Sequence, residues 1–394
     1  MSQEKNTDEV FSATVTAPVN IAVIKYWGKR DTALNLPTNS SFSVTLSQDD
    51  LCTRTTASCS RSYAHDSLEL NDAPCPLSAR YLACLAELRA LRRALEQADP
   101  TLPELAALPL RIASRNNFPT ASGLASSASG FAALVRAVAD LYALPASPTE
   151  LSRIARVGSG SASRSLFGGY AGWARGQRAD GADSEAYAAF PASHWPEMRM
   201  LVLVTRDRKK DVSSTAGMQV TVATSDLFWH RADKIVPERM RRMEEAVRDR
   251  DFAAFGALAM RDSNSFHALC LDSVPPIFYM DDASRAAVAV VGRINEAAGE
   301  VVAAYSFDAG PNAVIFYLHG NRNRVAGVFR SILGETPGWD GERGKKIEPS
   351  VLDINEGTVS TLQSRVKRVI LTAVGEGPVS VEVKGPNGVA GSKH

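Results

Sequence analysis

The stretch from Asn116 to Gly130, N-N-F-P-T-A-S-G-L-A-S-S-A-S-G, constrains this chain more than any other. Pro119 and Gly123 punctuate it as a loop, and Ser122, Ser126, Ser127 and Ser129 fill it with short hydroxyls. It runs directly into Phe131, Leu134, Val135, Val138 and Leu141, apolar residues at helical spacing. A Gly/Ser-rich loop therefore feeds the N-terminus of a helix that buries one face. Free N–H groups and the positive end of the helix dipole favour an anion at such a junction. Ser is also a good N-cap, so an ordinary capped helix accounts for the same residues, and the loop alone leaves both readings open. No Gly-Lys-Ser/Thr follows, so it is not a Walker A loop, and it is not G-x-G-x-x-G.

The 394 residues correspond to roughly two or three units at about 150 residues each. Hydrophobic residues make up 45% and charged residues 22%, the range of a globular protein, and the net charge of +1 provides no global field toward nucleic acid or membrane. No apolar run is long enough to span a bilayer, and Met1 to Glu9 lacks the apolar core of a signal peptide. The five cysteines form no C-x-x-C and the six histidines no H-x-x-x-H, so reduced thiols and no zinc site are expected.

Strands are predicted at Phe11 to Thr16, Ile21 to Ile24, Phe42 to Leu46, Thr53 to Ala57, Ser67 to Leu70 and Leu110 to Ala113. Between the first of them, Lys25-Tyr26-Trp27-Gly28-Lys29-Arg30 sets three cations around two aromatics: a solvated strand edge, or a cationic lip for an anionic substrate. Leu77 to Leu95 reads as a helix with Arg80 in its first turn, where a cation opposes the dipole unless an anion is bound nearby. Ser147-Pro148-Thr149-Glu150 starts another, with Ser147 at N-cap and Glu150 at N3. Gly158 to Ser165 then packs four serines, two glycines and Arg164 into eight residues, which suits either a flexible turn or an anion site. An arginine there fits a carboxylate, because its planar fork donates bidentately. Met200 to Val204 is a fully apolar strand that opens a second half, so a boundary is placed near residue 198. Helices follow over Pro237 to Arg250, Asp251 to Arg261 and Asp281 to Gly299, with one opening at Val212 to Met218. Strands Val301 to Phe307 and Ala313 to Leu318 flank the tight turn Asp308 to Asn312, Leu333 to Ser350 reads as a loop, and Val366 to Val374 and Val379 to Val383 close the chain.

Six segments together resemble one family. Pro119 to Ala128 (P-T-A-S-G-L-A-S-S-A) resembles the second motif of the GHMP small-molecule kinases. Ala17 to Asp31 (A-P-V-N-I-A-V-I-K-Y-W-G-K-R-D), Gly158 to Ser165 (G-S-G-S-A-S-R-S) and Phe307 to Val314 (F-D-A-G-P-N-A-V) resemble a narrower group, the diphosphomevalonate decarboxylases. Pro37 to Leu46 and Lys210 to Gln219 fit the same group, in the same order along most of the chain. Ser122, Ser129 and Ser163 depart from its pattern without removing a functional group.

The resemblance implies an α+β GHMP kinase fold: a ribosomal-S5-like N-terminal domain over residues 1–198 and a ferredoxin-like C-terminal domain over 199–394, with the active site in the cleft between. It implies ATP and Mg²⁺ acting on (R)-5-diphosphomevalonate to give isopentenyl diphosphate, ADP, phosphate and CO₂. By the same resemblance Asp308 takes or orients the tertiary hydroxyl proton, Lys25 neutralises charge beside it, and Arg164 holds the substrate carboxylate with Ser159 and Ser161 in support. Tyr26, Trp27, Gly28, Lys29, Arg80 and Thr215, with Gly160, Ala162 and Ser163, complete the substrate site. Ser122, Gly123, Leu124, Ala125, Ser126 and Ser127 hold the ATP phosphates, with Ser127 near the metal. A cytosolic homodimer is implied, with no nucleic-acid or membrane partner; the Ser392-Lys393-His394 tail only distantly resembles a peroxisomal signal.

Two other classes are weighed against this. A GHMP kinase that stops after phosphorylation would lack Arg164 behind Ser159 and Ser161. A nucleic-acid module of S5-like fold is opposed by the net charge of +1 and the absence of a basic, aromatic-interleaved stripe.

Overall fold

The computed structural model describes residues 9–118, 126–205 and 211–384. A six-stranded sheet runs in the order Val379–Lys384, Phe11–Pro18, Cys52–Cys59, Leu110–Asn116, Ser67–Leu70, Ala73–Cys75. All its pairings are antiparallel except Ser67–Leu70 on Leu110–Asn116. Cys52–Cys59 alternates buried and exposed positions, as a sheet with one covered face requires. The cover is the Ser126–Leu141 helix, whose Phe131, Leu134, Val135, Val138 and Leu141 enter the core with Leu85 and Leu88 of the Ala79–Ala98 helix.

A second sheet is ordered Ala186–Phe190, Tyr170–Trp173, Ser41–Thr45, Asn20–Ile24, and a third Ala303–Phe307, Ala313–Leu318, Met198–Val204, Arg368–Ala373. Met200–Val204 is apolar throughout because both faces are covered. Met198, Met200 and Val202 pack toward Ile21, Val23 and Phe42, while Leu201 and Leu203 pack toward Val290, Ile294 and Phe329. The two halves of the chain thus share one apolar cluster.

Local signals held where they were local. Ser147 and Glu150 form the capping box, and Gly299 ends the Asp282–Ala298 helix at φ 72°. The division at 198 is crossed by the last strand. Val379–Lys384 leaves the second half and covers the outer edge of Phe11–Pro18, an edge that would otherwise expose unpaired backbone.

A candidate active site between the two halves

A cavity of about 400 Å³ is walled by both halves of the chain. On its inner wall the Lys25 ammonium meets the Asp308 carboxylate at 2.6 Å, with side chains 3% and 33% exposed. Lys25 follows the Asn20–Ile24 strand, whose register against Ser41–Thr45 shifts between Ala22 and Ile24. Such an irregularity re-aims the side chains beyond it. Asp308 starts the turn after Ala303–Phe307, where the Gly310 N–H donates to the Asp308 carbonyl at 2.7 Å. Burial, with Lys25 nearby, drives the His267 imidazole down to about 3, so it stays neutral beside the pair.

Arg164 forms a second wall. Gly160–Leu166 is a buried 3-10 helix continuing from the Pro148–Gly158 helix, not the flexible turn its composition also allowed. A side chain at Gly160 would meet the rings of Tyr26 and Trp173, so glycine lets this turn seat against the aromatics. The Arg164 side chain donates to Asn20 Oδ1 at 3.3 Å and Ser41 Oγ at 2.6 Å, with its guanidinium 5.9 Å from the Trp173 ring centre. Asn20 is held in turn through its Nδ2, which donates to the Ser161 carbonyl and Ser165 Oγ. Burial brings Arg164 down to about 10, against the opposing pull of Asp308 and Tyr26, so it keeps its charge at neutral pH. Among the described residues no carboxylate lies within ion-pairing distance of it. A buried cation with only neutral partners, facing a cavity, is costly unless an anion joins it.

The mouth is cationic. Arg80 Nη2 spans the cleft to Thr215 Oγ1 at 3.0 Å. Burial and Arg80 lower Lys29 from 10.5 to about 8. Ser213 caps the Ser214–Thr224 helix, and Ser213, Ser214 and Thr215 at its N-terminus line the cavity, adding a dipole that favours anions. The Tyr26 hydroxyl is buried without a partner among the described residues, and burial raises its pKa.

Of the sequence-predicted residues, Lys25, Tyr26, Trp27, Lys29, Arg80, Ser126, Ser127, Ser159, Gly160, Ser161, Arg164, Thr215 and Asp308 line this cavity. Ser127 Oγ lies 3.3 Å from Ser159 Oγ, which joins the start of the central helix to the Arg164 wall. Ser122, Gly123, Leu124 and Ala125 lie outside the described residues. Four of the expected residues, Gly28, Ala162, Ser163 and Trp27, are held mainly by packing. Gly28, at φ 97°, turns the chain against Phe228 and Thr38 and does not line the cavity. Ala162 and Ser163 are fully buried in the 3-10 turn, where the Ser163 hydroxyl donates to the Gly160 carbonyl at 2.7 Å. Trp27 touches the cavity but is only 2% exposed, and its main packing is edge-to-face on Phe266 and Tyr279. Sequence reasoning did not assign Asn20 to the site, although an amide at the start of an otherwise apolar strand is a readable signal; Ser213 and Ser214 lie in the recognised Lys210 to Gln219 segment without having been assigned a role, and Phe266 carried no signal.

Residues 17–188 match the family model of the diphosphomevalonate decarboxylase-like N-terminal domain, and residues 200–381 that of the mevalonate 5-diphosphate decarboxylase C-terminal domain. The chain belongs to the diphosphomevalonate decarboxylase family. It is 63% identical over 383 residues to a diphosphomevalonate decarboxylase of Aspergillus fumigatus, covering 95% of each chain. The crystal structure of a mevalonate 5-diphosphate decarboxylase at 2.3 Å resolution superposes with a TM-score of 0.87 at 51% identity, over 94% of this chain and 97% of that one. MDDEF in complex with MVAPP, AMPPCP and magnesium superposes with a TM-score of 0.73 at 31% identity, over 94% and 99%. The α+β architecture is accordingly the GHMP kinase fold of these diphosphomevalonate decarboxylases.

Proposed function

We infer that this cavity carries out the ATP-dependent decarboxylation of (R)-5-diphosphomevalonate to isopentenyl diphosphate, ADP, phosphate and CO₂, a step of the mevalonate pathway. The observation that carries the reading is Arg164: a buried cation without a carboxylate partner among the described residues, opening on the same cavity as the Lys25–Asp308 pair. A kinase that only phosphorylates a hydroxyl needs the carboxylate of the pair, whereas a fixed cation opposite it suits a substrate carboxylate that leaves as CO₂.

The residues divide the work by position. Lys29, Arg80, Thr215 and the N-terminus of the Ser214–Thr224 helix bind the diphosphate. Arg164, backed by Asn20, Ser159 and Ser161, holds the carboxylate. Asp308 takes the C3 hydroxyl proton as that oxygen becomes the nucleophile, and Lys25 limits the charge that builds there. The phosphoryl group comes from ATP when it is bound. Phosphate then leaves C3, and the pair of electrons from the C–COO⁻ bond forms the alkene. Arg164 keeps the carboxylate in plane for that cleavage and donates no proton. Because little covalent chemistry falls to the protein, its contribution is placement and fixed charge.

Among the described residues no group of three His, Cys, Asp or Glu side chains could hold a metal by itself. Mg²⁺ would be carried mainly on nucleotide phosphates with one or two protein oxygens, and Ser127 would supply one of these. Ser126 and Ser127, at the head of the central helix, would hold phosphate oxygens together with Ser122 to Ala125. No described helix is long and apolar enough to cross a membrane. A cytosolic homodimer remains the setting that family membership suggests, to be tested by sedimentation and localisation of the tagged chain.

The deciding assay is release of ¹⁴CO₂ from carboxyl-labelled (R)-5-diphosphomevalonate with and without ATP and Mg²⁺. ATP-dependent release with one ADP per CO₂ is expected. ADP formation without CO₂ would sink the decarboxylase reading in favour of a kinase.

A further inference from the structure

The Lys25 backbone leaves its strand at a buried point, so its N–H and carbonyl need partners that the sheet no longer supplies. A serine or a backbone carbonyl would serve. The fold uses a side-chain carboxylate. Asp262, from the Phe252–Leu271 helix of the other half, accepts the Lys25 N–H at 2.7 Å through Oδ2 and is fully buried. Arg231 Nη2 donates to the same oxygen at 2.8 Å, and Arg239 Nη1 to Oδ1 at 2.8 Å. The Lys25 carbonyl accepts from Asn39 Nδ2 at 2.9 Å and from Arg231 Nη2 at 3.4 Å. Arg231 itself sits in the π-helical turn Arg231–Ile235, a geometry frequent at functional sites.

Taking three charges out of water to hold one peptide costs more than a neutral hydrogen bond would, so stability alone does not explain the arrangement. What it provides is fixed direction. The carboxylate is clamped from two sides, and both faces of the Lys25 peptide are held. One residue further along the same helix, Ser263 Oγ accepts the Phe307 N–H at 3.0 Å, immediately before Asp308. One helix therefore places the backbone of both members of the ion pair, across 283 residues of sequence.

We propose that Asp262 is a positioning residue for catalysis: clamped by Arg231 and Arg239, it sets the Lys25 ammonium on Asp308 without touching substrate. This rests on the roles given to Lys25 and Asp308 above. It also makes the two halves of the enzyme one unit at the reacting centre, so that domain movement cannot loosen the pair.

The test is Asp262→Asn, which keeps the shape and one acceptor but no longer neutralises the two arginines. Because a misplacement of about 1 Å costs on the order of 100-fold, kcat is expected to fall by about that factor. The Kd for diphosphomevalonate, by calorimetry without nucleotide, is expected to stay within about threefold, since no diphosphate or carboxylate contact is altered. In a Lys25→Met background the same substitution should cost less than about threefold in kcat, because a residue acting through Lys25 has nothing left to act on. A kcat near that of the unmutated enzyme, a Kd that weakens as much as kcat, or an undiminished loss in the Lys25→Met background would each overturn the proposal. Should Asp262→Asn fail to fold, Arg239→Gln loosens the clamp from its half-open side, and a kcat loss of about tenfold at constant Kd is expected. No kcat change there refutes the assignment. Failure of the unmutated enzyme to release CO₂ is a separate result, read from the same assay, and it concerns the reaction alone.

Discussion

Arg164 and Arg231 are each 2% exposed, yet they face opposite situations. Arg231 is neutralised, with Asp262 at 2.8 Å and a second arginine completing the clamp. Arg164 has an amide, a hydroxyl and an indole face around it, and a cavity in front. The same side chain at the same burial is scaffold in one place and a binding group in the other. The distinguishing feature is whether the fold supplies the counter-charge. Where it does, removing a member should cost stability; where it does not, removal should cost function and leave stability unharmed.

The largest expected effect concerns the one carboxylate that lines the cavity among the described residues. Asp308→Asn should lower turnover by roughly a thousandfold or more while diphosphomevalonate binding, followed by calorimetry, stays nearly intact. Turnover near that of the unmutated enzyme would remove Asp308 from the mechanism. Next, Arg164→Gln should lower ¹⁴CO₂ release by about a hundredfold, because the substrate carboxylate loses its charged bidentate partner. Unchanged kinetics would leave Arg164 as mere filling and dissolve the contrast with Arg231.

Stability sharpens the contrast directly. Arg231→Met strips the buried Asp262 Oδ2 of its cationic partner and should destabilise the fold by about 3 kcal/mol in denaturant unfolding. Arg164→Met removes an unpaired buried cation and should be neutral or stabilising. Equal losses in the two would mean that counter-charge does not separate their roles.

The smallest effect is at the mouth. With Lys29 lowered to about 8 by burial and Arg80, its proton is lost within the working range. A diphosphate prefers the ammonium form, so affinity should fall several-fold as pH rises through about 8. Arg80→Gln removes a neighbouring cation, raises the Lys29 pKa and should move that fall to higher pH, whatever it costs in overall affinity. A pH-independent Kd would place Lys29 outside the diphosphate site.

Much of the candidate site was legible in the sequence because its motifs are contiguous. Lys25, Arg164 and Asp308 each stand in a run that carries the family resemblance, which singled them out where residue types alone left both readings open. Asp262 was not legible. The periodicity reading ended its helix at Arg261, and an aspartate after an arginine on an amphipathic helix reads as solvent-facing; the structure continues the helix to Leu271 and buries Asp262 completely. The helices Arg322–Leu333 and Glu356–Arg365 were also passed over, their apolar positions being too few to stand out between charged and polar neighbours. Gly28 and Ser163 belong to the recognisable motifs but serve the backbone, one by its positive φ and the other by a hydrogen bond inside its own turn. A motif gives residue identity, and only geometry separates groups that face substrate from groups that hold those groups in place.

By itself the sequence determined what is settled within a few residues. That covers the capping box at Ser147 and Glu150, the helix stop at Gly299, the period-two strands, and the motifs that identify the family. These depend on short-range sterics and hydrogen bonds that any copy of the segment would make. The tertiary structure alone decided which charges meet. Lys25 finds Asp308 and Asp262, and Arg80 reaches Thr215, across separations of 283, 237 and 135 residues. Pairings at such separations are fixed by how the sheets share their core, because each charge is neutralised, or left for substrate, only once that core has closed around it.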